Sequence, residues 1–71
     1  TGSSIVIGNA SKNGRTVSMT NWKNVAVYEV YSGNEIKMIS HFNTFTLPQD
    51  YPDLRIIAIG VTGSKTAVNL Q

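Results

Sequence analysis

The 71-residue chain contains no cysteine, one histidine, two prolines and only 14% charged residues. Without cysteine there is no disulfide staple, no thiolate zinc site and no thiol nucleophile. One histidine leaves too few donors for a protein metal centre, so neither a metal nor a cofactor is expected. No apolar run approaches the roughly 18 residues that span a bilayer, and no membrane insertion is expected. The chain opens Thr1-Gly2-Ser3-Ser4, without a basic stretch leading into an apolar one. It is read as a single domain over 1–71, excised from a larger protein.

Charge is sparse in both signs. Six Lys+Arg stand against four Asp+Glu, a net charge of +2. The cations Lys12, Arg15, Lys23, Lys37, Arg55 and Lys65 are scattered and no two are adjacent. Affinity for nucleic acid grows with each phosphate neutralised, which favours clustered cations, so no nucleic-acid partner is expected.

What the chain does have is short β-branched runs broken by Gly, Asn and Asp at about the 8–12-residue spacing of sandwiches and barrels. No stretch holds a 3.6-residue apolar period. A first strand is expected over 3–7, followed by an Asn13-Gly14 hairpin turn. Residues 15–20 alternate and point Val17 and Met19 to one face. After a loop or bulge at 21–24, residues 25–31 form a central strand, apolar on both faces except at Glu29. Ser32-Gly33-Asn34 turns the chain into 35–39, with Ile36 and Met38 on one side. Residues 41–47 place Asn43, Phe45 and Leu47 together. The two prolines and two aspartates of 48–53 mark an ordered connection. Residues 54–61 are the strongest strand, 62–64 a tight turn, and 65–70 the last strand. The expectation is an all-β, seven-stranded antiparallel β-sandwich.

Several motifs invite chemistry. Gly60-Val61-Thr62-Gly63-Ser64-Lys65-Thr66 has the flavour of a phosphate loop, but the spacing is wrong and no helix fits in the five residues that follow Thr66. It is read as a β-turn. Ser40, His41 and Asp50 or Asp53 could be imagined as a triad. Adjacent strand residues point to opposite faces, however, and a chain this short builds no oxyanion cleft easily. Glu29 and Glu35 share a hairpin with no sugar-sized cleft between them. Asp50 and Asp53 are turn formers before they are calcium ligands. No enzyme is expected and no catalytic residue is assigned. Of the aromatics, Tyr28 is expected to point with Ala26 and Val30, and Tyr31 with Val25, Val27 and Glu29. One tyrosine therefore lies outside, and Trp22, Tyr31 and Tyr51 form an alternative carbohydrate-binding set that would stack on a polysaccharide.

From Tyr28 onward the chain resembles a known family. Tyr28-Glu29-Val30-Tyr31-Ser32-Gly33-Asn34 is similar to the Y-x-V-Y-x-x-G strand and turn of fibronectin type III domains, especially their compact bacterial and phage forms. Asn43-Thr44-Phe45-Thr46-Leu47-Pro48 looks like their T-x-(Y/F)-T-x-x-L segment. Leu54 to Val61 resembles the Y-x-V-x-V-x-A strand, and Gly63-Ser64-Lys65-Thr66 the turn that starts the last strand. Val17-Ser18-Met19 followed by Trp22 resembles V-x-V-x-W. The likeness runs from about Arg15 to Val68 as a set of loose hydrophobic patterns. It implies a fibronectin type III or immunoglobulin-like sandwich, a module of an extracellular, cell-surface or virion protein, secreted, and acting as spacer, adhesion or assembly element. No Arg-Gly-Asp sequence is present, so that family motif is not carried over.

The family pattern turns Leu54, Ile56, Ala58 and Gly60 to the core. Ile57, Ile59 and Val61 then face out beside Val25, Val27 and Tyr31, since the third and sixth strands are neighbours in that topology. These six residues are the candidate partner-binding patch, covered by other domains of the parent chain or by a second copy.

Overall fold

The computed structural model describes residues 4–68 and residue 70. It is all-β: β1 (Asn9–Asn13), β2 (Thr16–Thr20), β3 (Val25–Ser32), β4 (Glu35–Ser40), β5 (Thr44–Thr46), β6 (Leu54–Gly60) and β7 (Lys65–Val68). They form two antiparallel sheets, one ordered β1-β2-β5 and the other β4-β3-β6-β7. The sheets share one core, to which Ala10, Val17 and Met19 come from the first and Tyr28, Val30, Ile56, Ala58 and Val68 from the second. Leu47, just past β5, is fully buried between them. The alternation at Val17 and Met19 and at Ile56, Ala58 and Gly60 is as the sequence pattern sets it.

Turns set the register. The pairs Asn13↔Thr16 and Ser32↔Glu35 leave two-residue loops, Gly14-Arg15 and Gly33-Asn34. In each the glycine comes first and has positive φ, 64° and 62°. That is the type II′ requirement, whose twist suits antiparallel strands. The expected Asn13-Gly14 turn is thus shifted by one residue. The third hairpin closes with Gly63 N–H donating to the Gly60 carbonyl, the β-turn read in place of a phosphate loop.

The first strand differs from expectation. Ser3 lies outside the described residues, and 4–7 form no ladder: Val6 makes the isolated bridge to Lys23, and the Ser4 carbonyl accepts from Asn24 Nδ2 at 2.8 Å. The polar segment Asn9–Asn13 is the strand instead, because the Gly14 turn pins it antiparallel to β2, whose last residue, Thr20, already pairs with Asn9. Ile5–Ile7 therefore have no β2 partner left. Gly8 lies at the crossover so close to the β2 end that a Cβ there would stand 2.0 Å from the Thr20 carbonyl oxygen. At the other end β7 stops at Val68, Asn69 lies outside the described residues, and Leu70 packs on the core.

The loop 48–53 is tied at both ends. Arg15 Nη1 donates to the Pro48 carbonyl at 3.1 Å, Gly33 N–H to the Asp53 carbonyl at 3.0 Å, and the Ser32 hydroxyl to the Pro52 carbonyl.

Two substitutions test this packing in urea denaturation. Ile56→Ala, at a position 1% exposed, should cost about 2–5 kcal/mol. Gly8→Ala should cost well beyond the ~0.5 kcal/mol of ordinary surface changes, since backbone must move to admit the methyl. A Gly8→Ala variant as stable as the parent would contradict the crossover geometry.

Candidate functional site

The strongest candidate is the outer face of the four-stranded sheet. Cross-strand partners project to the same side, so the pairings place the residues directly. Glu29 lies between Ile39 on β4 and Ile57 on β6, and Ile57 in turn faces Ala67 on β7. Val27 pairs with Ile59 and Ile59 with Lys65. Tyr31 pairs with Arg55 on one side and Ile36 on the other. Val27, Glu29, Tyr31, Ile57 and Ile59 are half-buried, while their strand neighbours Tyr28, Val30, Ile56 and Ala58 are buried in the core. The inner residues of both strands are apolar, and so are most of the outer ones.

Four of the six expected patch residues, Val27, Tyr31, Ile57 and Ile59, share this face. Val25 does not. A bulge between Val25 and Val27 reverses the parity, so Val25 opposes Gly60 and packs on the core while Ala26 is exposed. Asn24, at φ 63°, sets up the turn into the strand, and the space over Gly60 is taken by Ile5, whose side chain a Cβ there would meet at 2.8 Å. Val61 lies one residue beyond β6, in the turn, and is 60% exposed.

Ile36 and Ile39, 46% and 51% exposed, extend the face where the sequence reading did not put them. A second bulge, opposite Val30 and Tyr31, makes Lys37 the extra residue of β4. Met38 then packs on the core and Ile36 turns outward, so the two do not share a side. The adjacent apolar pair Met38-Ile39 was the available sign of a strand with two apolar faces. Lys37 reaches from the bulge to Glu35 at 3.7 Å and over the Tyr51 ring at 5.8 Å.

At the centre of the face the Tyr31 hydroxyl donates to Glu29 Oε1 at 3.1 Å. That hydrogen bond, to a carboxylate whose charge opposes a phenolate, raises the Tyr31 pKa above the usual phenol value. Burial raises Tyr28 for a different reason, by disfavouring the charged form. Beside Tyr31 an open concavity of about 250 Å³ is lined by Gly33, Asn34, Arg55 and Ile57. Arg55 lies 3.9 Å from Asp53.

The three rings of the alternative carbohydrate set fall in different places. Trp22 packs on the core, meets Tyr28 edge-on at 6.2 Å, and its indole N–H donates to the Asn9 carbonyl at 2.9 Å. It gains this inward direction because Asn21, at φ 65°, breaks the alternation after β2. Tyr51 packs on the core from the 48–53 loop, under Lys37. Only Tyr31 belongs to the outer sheet face.

His41 is exposed past the end of β4, whereas Ser40 is buried with its hydroxyl bonded to the backbone of Phe42. Among the described residues no three His, Cys, Asp or Glu side chains gather as metal ligands, and no buried side-chain polar atom lacks a partner. No family model matches the chain, and comparison with curated proteins and with solved structures gives no match.

An absorbance titration of the phenols checks the Tyr31–Glu29 contact. Tyr28 and Tyr31 should ionise above the ordinary value of about 10. Glu29→Gln should bring the Tyr31 midpoint down and leave Tyr28 in place. Both pKa values are higher folded than unfolded, so the stability that the neutral phenols contribute is whole below about pH 10 and is lost as pH rises through the raised values.

Proposed function

We propose that this chain is a non-catalytic, fibronectin type III-like module of a larger extracellular, cell-surface or virion protein, and that it docks through the outer face of β4-β3-β6-β7. The observation that carries the reading is the partly exposed apolar row of Val27, Ile57 and Ile59 around Glu29 on the outer side of the sheet, continued by the exposed Ile36 and Ile39. Soluble monomers rarely leave a contiguous apolar sheet face open, and such faces mark interaction sites.

The strand order supports the fibronectin type III part of the reading. In an immunoglobulin constant-type sandwich the fourth strand joins the sheet of the first, second and fifth. Here β4 pairs with β3, in the sheet of β6 and β7. Fold alone does not fix function, so the docking role rests on the face and not on the resemblance. The partner is another domain of the parent chain or a second copy, and the module serves as spacer, adhesion or assembly element. Titration with polysaccharides is expected to leave Trp22 fluorescence unchanged, because that ring lies against the core.

Hydroxyl-radical footprinting tests the reading. The 71-residue chain at low micromolar concentration should label at Ile36, Ile39, Ile57 and Ile59. The longer protein that carries it should protect Ile57 and Ile59 while Val61 still labels. Equal labelling of Ile57 and Ile59 in both would overturn the docking role.

A further inference from the structure

The outer face has one awkward member. Glu29 sits at its centre, flanked by Ile39 and Ile57, and among the described residues it makes no ion pair. Tyr31 satisfies one carboxylate oxygen and leaves the charge uncompensated. A purely apolar cover would strip water from a carboxylate and leave it unpaired, which is strongly unfavourable. Whatever covers this face must therefore bring a small side chain opposite Glu29, to leave room, and a cation within reach of it.

The same face carries both. Ala67 and Lys65 lie on β7, and Lys65 makes no ion pair among the described residues. Strands β3 and β7 flank β6 on opposite sides. We propose that a second copy of this chain covers the face, with the two β6 strands stacked about a twofold axis running along them. This rests on the docking reading above and commits it to one occupant.

The register follows from the pairings. A twofold along β6 lays β3 of one copy over β7 of the other. Glu29 is in the row of Ile57 and Ala67, so it meets Ala67 of the second copy, the smallest side chain on the face. Lys65, in the row of Ile59, lies one step along that strand, about 7 Å away. Its four-carbon stem spans that distance, and the ~30° angle between aligned packed sheets gives it latitude to do so. Ile57 and Ile59 meet their own counterparts at the axis. Because the interface is isologous, the Glu29–Lys65 pair forms twice, and the association closes at two copies.

Sedimentation equilibrium on the chain and on charge-swapped variants tests this. The parent should dimerise below about 1 mM. Glu29→Lys and Lys65→Glu should each raise the dimer Kd by about tenfold or more, and the double swap should restore it to within about threefold, the signature of a direct pair. Circular dichroism confirms that each variant is folded, and Lys65 is exposed, so its replacement leaves the core alone. A parent that stays monomeric at about 1 mM, or folded single variants that the double swap fails to rescue, would overturn the assignment. The footprints separate the two levels. A monomeric chain whose Ile57 and Ile59 are still protected in the longer protein defeats only the second-copy assignment. A monomeric chain whose Ile57 and Ile59 label equally in both defeats the docking role as well.

Discussion

The antiparallel pairing of β3 with β6 is the constraint from which the rest follows. It aligns Tyr28 with Ala58 and Val30 with Ile56, which puts four buried side chains on one side of two central strands. By the same period of two it puts Glu29 with Ile57 and Val27 with Ile59 on the other. The chain cannot build its core from these strands without also presenting the second row. A slip of one residue would turn one strand over, burying Glu29 and exposing Val30 if it were β3, or burying Arg55 and exposing Ile56 if it were β6. The apolar exterior is therefore not incidental decoration: its residues could be polar at no cost to the core, and they are not.

Small size sharpens the point. A 71-residue chain buries a modest fraction of its surface and stands near the limit of what one core can hold together. Four side chains, Leu47, Ile56, Val17 and Val30, are the largest that are fully buried. With no disulfide available, hydrogen-bonded stitching does part of the work. The 48–53 loop is fastened to the β1–β2 turn by Arg15 and to the β3–β4 turn by Ser32 and Gly33. Trp22 closes the other side, using its ring on Tyr28 and its N–H on Asn9.

Much of this was legible in the residues. Period-two alternation at 16–20 and 54–60 named the inward residues, and Gly, Asn and Pro marked the connections. What escaped notice were events that break period two. The bulge at Val25–Val27 turned Val25 inward, and the bulge at Lys37 separated Ile36 from Met38. A bulge inserts one residue without any required residue type, so strict alternation carried past it assigns the wrong side. The first strand escaped for another reason. Ile5, Val6 and Ile7 have the composition of a strand, whereas Asn9–Asn13 is polar, yet strand identity was decided by a turn that dictated which residues β2 would meet. Local composition lost to register. The positive-φ asparagines, Asn21 and Asn24, were the quiet signal that the Trp22 loop would redirect both its neighbours.

The extra residue at Lys37 also bears on how this sheet ends. β4 is an edge, and a regular edge of β-branched residues is a template on which another chain can add, strand after strand, without limit. The kink interrupts the row of free amides and carbonyls midway along β4 and sets a cation in the gap, held between Glu35 and the Tyr51 ring. Growth along the hydrogen-bonding direction is thereby obstructed on this side. The fold discourages fibrils at the one margin where an isoleucine-rich strand would otherwise seed them.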